Sequence, residues 1–292
     1  MKKIFACMGV CLLNVLFLGD LAQANREDPL FKQFPQNYEF SLKNGEKVLL
    51  PFHIYKGQSV FLGGYADLKI LTEYLKPHHV VPAPLSANLG LIGVYIINYM
   101  DTVIGPYHEI FVMVAIRQNH SPMPDLMKTY FGLLSTYAPF LKTLLGTESE
   151  NIGFFAWKLW VDTDIALRVG HEVWGYPKSI ANIDVDIKSH STRFQVGDQN
   201  GMILAGGFKR YLPLVHIFPL RMDFYSTTPR DIQQTTGRAL VNGRFSLHYV
   251  GGNDHFEFNS QNSWGKIFRD VQFQPLFWQH IENLRSVVLM PN

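Results

Sequence analysis

The chain has 292 residues, of which 47% are hydrophobic and 17% charged, and its 26 basic and 24 acidic residues leave a formal net charge of +2. This length and apolar content are typical of a globular protein with a sizeable core. The balanced charge provides no cluster of Lys and Arg of the kind that binds nucleic acid, so no nucleic-acid partner is expected.

The first 24 residues have the three parts of a secretory signal peptide. Lys2 and Lys3 precede an apolar run from Ile4 to Gly19, and small residues end the segment at Ala24. We expect cleavage after about Ala24, export to the periplasm or the medium, and no membrane span after cleavage. A membrane anchor is the alternative, but the run is shorter than the ~20 apolar residues that a span prefers. Both cysteines of the chain lie in this segment, so no disulfide is expected afterwards.

Residues 25–292 are predicted to form one domain that is mainly β, of the α+β class. Short runs rich in Val, Ile, Phe and Tyr, bounded by Gly, Pro or Asp, predict strands at 48–55, 59–66, 87–100 and 109–117. A short helix is predicted at Tyr65–Leu75, a strand through Leu159–Asp162 and a helix near Asp164–Gly170. The dipeptide Asn242-Gly243 predicts a hairpin turn. Many short strands at such spacing favour an antiparallel barrel or sandwich.

A helical insertion is predicted at about 121–150. Apolar residues recur there at helical spacing between Leu126 and Leu145, and Pro139 should kink the helix or divide it in two. The plainest interpretation is a helical element packed on the sheet. A lid over a pocket or a contact between subunits is the alternative.

The stretch Ala166–Ala181 presents a single lysine among apolar and aromatic residues. Lys178 follows Trp174, Gly175, Tyr176 and Pro177 directly. An amine in such surroundings loses hydration, which disfavours its charged form, and a neutral lysine is a nucleophile. The sequence places no second cation beside it.

The segment from Gly170 to Ser179, GHEVWGYPKS, resembles the signature of the acetoacetate decarboxylase family. Two further stretches resemble the same family, namely VPAPL at 81–85 and GPYHE at 105–109. The resemblance implies a large antiparallel cone or barrel-like sheet, with Lys178 as the amine that forms a Schiff base with a ketone and Glu109 as a general acid/base. It implies a small keto-acid substrate, no cofactor and no metal, and by analogy a homo-oligomer.

Five further residues are candidates for supporting or substrate-binding roles, namely Glu172, Trp174, Tyr176, Tyr107 and Lys56. Glu172 could be a second carboxylate near the lysine or could hold the loop by accepting backbone hydrogen bonds. Lys56 stands in the region where the family has an arginine that orients the substrate carboxylate, and lysine does not offer the same forked geometry.

Two departures from the family signature leave the reaction open. His171 stands at the position of its arginine, and Ser179 at the position of its second lysine. The expected reaction is the cofactor-independent decarboxylation of a β-keto acid like acetoacetate or larger. The alternatives are a Schiff-base aldolase, dehydratase or hydratase on the same scaffold, or an exported, inactive protein that binds a small molecule.

Overall fold

The computed structural model describes residues 28–117, 152–209, 215–226 and 237–290. The predicted signal peptide and the predicted insertion at 121–150 lie outside these ranges and stay predictions. The strands are β1 (Tyr38–Ser41), β2 (Lys47–Leu50), β3 (Phe52–Asp67), β4 (Leu89–Thr102), β5 (Tyr107–Arg117), β6 (Ile152–Val161), β7 (Lys178–Ile180), β8 (Asn182–Ile187), β9 (Ser191–Asp198), β10 (Gly201–Lys209), β11 (Val215–Tyr225), β12 (Gly237–Tyr249), β13 (His255–Phe258) and β14 (Gln274–Leu289). The helices are α1 (Pro29–Gln33), α2 (Leu68–Leu75), α3 (Asp164–Trp174) and α4 (Ser263–Asp270), with a 3-10 turn at Lys76–His78.

A large sheet of eight strands, in the order β11-β12-β14-β3-β4-β5-β6-β7, dominates the fold. Neighbouring strands from β11 to β6 run antiparallel, whereas β7 pairs with the end of β6 in parallel. Strand β11 also pairs in parallel with the start of β6, so hydrogen bonds join the first strand of the sheet to its seventh. The predicted fold class, mainly β with few helices, is confirmed.

A second sheet of four strands, in the order β13-β10-β9-β8, packs on one face of the large sheet. Because side chains alternate between the two faces of a strand, each long strand contributes to two separate layers. One face, which we call the packing face, buries fully apolar side chains against the second sheet, α2 and α4, among them Val60, Leu62, Ile96, Ile110 and Val112. The opposite face, which we call the site face, includes Ser59, Tyr95, Tyr99, Glu109 and Lys178.

Several predicted boundaries differ from the observed ones. The runs at 48–55 and 59–66 do not form two strands, because one strand extends from Phe52 to Asp67 and only Lys47–Leu50 precedes it separately. The helices begin at Leu68 rather than Tyr65, and extend to Trp174 rather than Gly170.

The predicted hairpin turn at Asn242-Gly243 is wrong. Both residues lie inside β12, where the register with β14 shifts between Asn242 and Arg244. A Cβ atom on Gly243 would lie 2.8 Å from the Ile281 side chain. The glycine therefore serves a bulge and a close approach of two strands, the other local structures that a glycine in a strand can signal.

Among the helices of the described ranges, none has the length and apolar character that a membrane crossing requires. The described residues also contain no group of three or more His, Cys, Asp or Glu side chains arranged to hold a metal ion.

Candidate active site

The backbone of Lys178 is fixed by the way α3 ends. Gly175 adopts a left-handed conformation with φ of 65°, and its N–H and that of Tyr176 donate to the last carbonyl groups of the helix at His171 and Gly170. Glycine adopts this conformation without steric cost, which explains its place in the motif. The chain then reverses and Lys178 begins β7, with Leu159 of β6 as its partner.

The side chain of Lys178 lies in a space that Gly170 leaves open. A Cβ atom at position 170 would lie 2.3 Å from Cδ and 2.4 Å from Cε of Lys178. Any larger residue would therefore displace the aliphatic part of the lysine. The Lys178 side chain is only 7% exposed, so the predicted burial of this amine is observed.

The amine of Lys178 is paired with Glu109. Its Nζ atom lies 2.5 Å from Oε2 of Glu109, and each side chain is 7% exposed. The glutamate projects from β5, between Ile97 of β4 and Val161 of β6, which makes its position rigid. The two side chains are close enough for direct proton transfer between them. The structure thus brings the predicted amine and the predicted carboxyl group into direct contact.

Tyrosine rings surround this pair. Tyr107 lies beside the lysine, with its ring centroid 5.7 Å from Nζ, and the Tyr99 ring follows 4.5 Å from that of Tyr107. Burial raises the pKa of Tyr99 and of Tyr107 well above the ordinary value, and the charge of Glu109 raises both further. Both phenols therefore stay neutral and can act as hydrogen-bond donors. The nearby hydroxyl groups of Tyr95 and Tyr176 also raise the pKa of Tyr99.

His171 and Glu172 each form a hydrogen bond with a backbone group. The His171 ring donates from Nε2 to the carbonyl oxygen of Lys178 at 2.9 Å, so the residue at the arginine position of the motif holds the backbone of the lysine. Glu172 accepts a hydrogen bond from the backbone N–H of Lys43 at 2.8 Å. Glu172 thus accepts a backbone hydrogen bond, as one of its two interpretations has it, but the bond comes from the turn between β1 and β2 and not from the lysine loop.

Trp174 and Tyr176 form part of the wall behind the lysine loop. Their rings are stacked at 6.1 Å with an interplanar angle of 15°. Trp174 donates from its indole N–H to the carbonyl oxygen of Leu289, which ties α3 to β14. Lys56, in contrast, is exposed on β3 and is not brought to the buried pair. Among the arginines whose side chains the structure describes, none is fully buried.

Ser179 has a partner that the sequence did not reveal. Its hydroxyl accepts a hydrogen bond from Lys158 of β6, on the packing side of the sheet, where the Lys158 amine also lies 5.9 Å from the Trp160 ring. Burial lowers the pKa of Lys158, although the charge of Asp198 opposes this. Lys158 and Lys178 thus point to opposite faces of the sheet.

Tyr95, Tyr99 and Ser59 were missed by the sequence reasoning. Tyr95 and Tyr99 are separated by four residues on β4 and hence share a face, and the β4–β5 pairing sets Tyr99 beside Tyr107. This alternation was a usable signal for the tyrosines. Nothing local marks Ser59, whose partner Tyr95 is 36 positions away.

A known family model matches the part of the chain that contains the site. Residues 71–210 match the family model of acetoacetate decarboxylase, and this range includes both Glu109 and Lys178. A search of curated protein sequences finds no match.

Three solved structures resemble the fold. An acetoacetate decarboxylase structure has a TM-score of 0.52 and 14% identity, covering 82% of this chain and 87% of its own. Acetoacetate decarboxylase from Legionella pneumophila also has a TM-score of 0.52, with 12% identity over 82% of this chain and 86% of its own. The enduracididine biosynthesis enzyme MppR with pyruvate has a TM-score of 0.48 and 12% identity, over 82% and 87%. At these identities the first two structures establish a shared fold.

Proposed function

Because this chain belongs, through residues 71–210, to the acetoacetate decarboxylase family, we propose that it is a cofactor-independent enzyme that decarboxylates a β-keto acid through a Schiff base on Lys178. One observation carries the proposal: a lysine amine with 7% exposure lies 2.5 Å from a glutamate with the same exposure. Burial disfavours the ammonium form of the lysine, and an adjacent general base can accept its proton when it attacks.

The first chemical step uses the amine–carboxylic acid form of the pair. The lone pair of Nζ attacks the ketone carbon while Glu109 gives a proton to the carbonyl oxygen, and the resulting Glu109 carboxylate then takes a proton from the nitrogen, which yields a neutral carbinolamine. Glu109 returns that proton to the hydroxyl group, which leaves as water while the nitrogen lone pair forms the C=N bond of a positively charged iminium.

The second step breaks the bond to the carboxylate. The electron pair of the bond between the α-carbon and the carboxylate carbon moves toward the iminium nitrogen, carbon dioxide leaves, and a neutral enamine remains. Protonation of its carbon regenerates an iminium, and water then releases the ketone and the free lysine. Glu109 is positioned to move the protons, and neutral Tyr107 and Tyr99 line the site beside it.

Trapping of the iminium tests the Schiff base. When the protein is incubated with isotope-labelled acetoacetate and sodium borohydride, a reduced, labelled adduct should form. Peptide mass spectrometry should locate this adduct at Lys178. The variant Lys178→Met should lose the adduct. Lys158→Met is the matched control, because Lys158 is also a partly buried lysine but lies on the other face of the sheet. An adduct that persists in Lys178→Met would overturn the proposal.

A related Schiff-base activity is the second candidate. Lys56 is exposed on β3 and does not reach the buried pair, so it is not the cation expected to orient a substrate carboxylate. An aldolase, dehydratase or hydratase does not release carbon dioxide from its substrate, so its reaction does not require a cation that orients a carboxylate for loss. Carbon dioxide release is measured during incubation with the keto acid and without borohydride. It separates the two candidates, since only the decarboxylase produces carbon dioxide. An inactive binding protein would trap nothing.

We also propose that the chain is exported and that its mature form begins at Asn25. The charged, apolar and small-residue parts of the first 24 residues support this. Cell fractionation with N-terminal sequencing tests it, and an uncleaved N-terminus would contradict it. The homo-oligomer expected by family analogy is tested by sedimentation of the purified mature protein.

A further inference from the structure

A pair of hydroxyl groups lies on the site face at a distance from the lysine. Ser59 of β3 is fully buried and donates from Oγ to the hydroxyl oxygen of Tyr95 at 3.1 Å. Ser59 is in register with Ile97, and Ile97 with Glu109, so two strand spacings separate the backbones of Ser59 and Glu109. That separation is about 10 Å. The pair plays no part in the chemistry proposed above.

Aromatic rings surround this hydroxyl pair. The Phe61 ring lies 5.9 Å from that of Tyr95 and 5.9 Å from that of Phe277. In the same row across the sheet, Phe61 pairs with Gln279 and Gln279 with Leu247, and all three are partly exposed. Solvent therefore reaches this part of the site face. Phe61 is in register with Tyr95, so a substrate chain that extends from Lys178 across β4 would meet the two hydroxyl groups beside this ring.

The charge state of the hydroxyl pair sets the kind of group it can recognise. Burial raises the pKa of Tyr95 to about 12, although the hydrogen bond from Ser59 opposes this rise. The phenol is therefore neutral, accepts from Ser59 and can donate its own O–H to another acceptor. The residues placed beside the pair, Phe61, Phe277 and Gln279, carry no charge, so a second anionic group on the substrate would be buried here without an adjacent countercharge, which is costly.

We propose that the Ser59–Tyr95 pair selects a 3-oxo acid whose chain ends in an uncharged part with an oxygen acceptor. This inference rests on the proposed function and names its substrate class. The backbones of Ser59 and Glu109 are two strand spacings apart, about 10 Å, so a chain with its oxygen four or five bonds beyond the ketone carbon is the length to test first. A carbonyl, ether or hydroxyl oxygen satisfies the requirement equally.

Two ketones of equal length test the recognition step without decarboxylation, and any Schiff base that forms is common to both. The probes are 2-heptanone and 5-methoxy-2-pentanone, which differ by one CH₂ group replaced with an ether oxygen. Calorimetric titration gives the dissociation constant of each ketone for each protein variant. The preference of the wild type for the ether should be about tenfold greater than that of Ser59→Ala or Tyr95→Phe, as expected for one lost hydrogen bond in a buried site.

The matched control is Ser246→Ala, which removes another buried serine hydroxyl. Ser246 contacts His248, whose ring stacks on Trp278 of the packing-face core. This variant should keep the preference of the wild type. An equal preference in the wild type, Ser59→Ala and Tyr95→Phe would overturn the inference.

Borohydride trapping of acetoacetate on the wild type is run in parallel, so that the two proposals can fail separately. A trapped adduct with no ether preference would contradict the proposed substrate class but not the Schiff base on Lys178. An ether preference without an adduct would contradict the Schiff base but not recognition by the Ser59–Tyr95 pair.

Discussion

The two faces of the large sheet are built by the same strands and contain different chemistry. On β5, the neighbours Glu109 and Ile110 are almost equally buried, but Glu109 pairs with a lysine whereas Ile110 packs only into the apolar core. Residue volume and apolar character are enough for the packing face. On the site face, the buried charges and hydroxyl groups need specific partners, because an unpaired polar group there would be destabilising.

Of the substitutions that compare the two faces, Glu109→Gln should have the largest effect, because it should lower turnover without unfolding the protein. The amide cannot take up or release the proton, so turnover of a β-keto acid should fall by about 10²–10⁴-fold, the usual contribution of a general acid/base. Rates are measured from carbon dioxide release with the purified proteins. Thermal unfolding supplies the control, because the variant should remain folded. Unchanged turnover would remove Glu109 from the mechanism.

Ile110→Ala tests the other face of the same strand. Ile110 is fully buried in the core between the sheets, and truncation of such a side chain typically costs about 2–5 kcal/mol of unfolding free energy. Denaturant unfolding measures the loss. Borohydride trapping on the folded fraction should proceed at nearly the wild-type rate, and a selective loss of trapping would show that the two faces are not independent.

Gly170→Ala should disturb the lysine itself. The added methyl group would lie 2.3 Å from Cδ of Lys178, so the side chain must move and its contact with Glu109 must change. We expect the rate of borohydride trapping to fall by about 10–100-fold, comparable to a misplaced catalytic group. Gly251→Ala is the matched control, because nothing lies within 4 Å of the atom it adds. Equal trapping rates in the two variants would contradict the packing described for Lys178.

Much of the site could be predicted from sequence because its main residues lie in short, recognisable segments. Lys178 and the loop that holds it come from one stretch, and Glu109 from another. The partners of these residues depend on strand register, which no local pattern determined. Ser59–Tyr95 and Ser179–Lys158 are pairings of this kind, since each joins residues on different strands.

The lack of a local signal for strand register also explains the errors in the predicted strands. Gly57 separated the two strand predictions at 48–55 and 59–66, because glycine usually weakens a strand. In the structure it lies inside β3 at a register shift, where an added Cβ would lie 3.0 Å from the carbonyl oxygen of Asn98. Gly243 has a similar role in β12. A glycine needed for the close approach of another strand cannot be distinguished locally from a glycine at a turn.

The smallest expected effect concerns His108, the residue beside Glu109 on β5. Its backbone N–H and its Nδ1 contact the Asp162 carboxylate at 2.8 and 2.7 Å, and both side chains are partly exposed. Burial alone would raise the pKa of Asp162, but the hydrogen bonds from His108 outweigh it, so the pKa lies below the ordinary value of 3.8.

A depressed carboxyl pKa in the folded state stabilises the protein above the unfolded pKa, and this contribution is lost as the pH falls through the folded value. The wild type should therefore be more stable than Asp162→Asn at pH 5, and the difference should shrink as the pH falls below about 4. Urea unfolding at a series of pH values measures it. A difference that stays constant down to pH 2.5 would show that Asp162 has the same pKa in the folded and unfolded chain, and that the His108 contact contributes no charge-dependent stability.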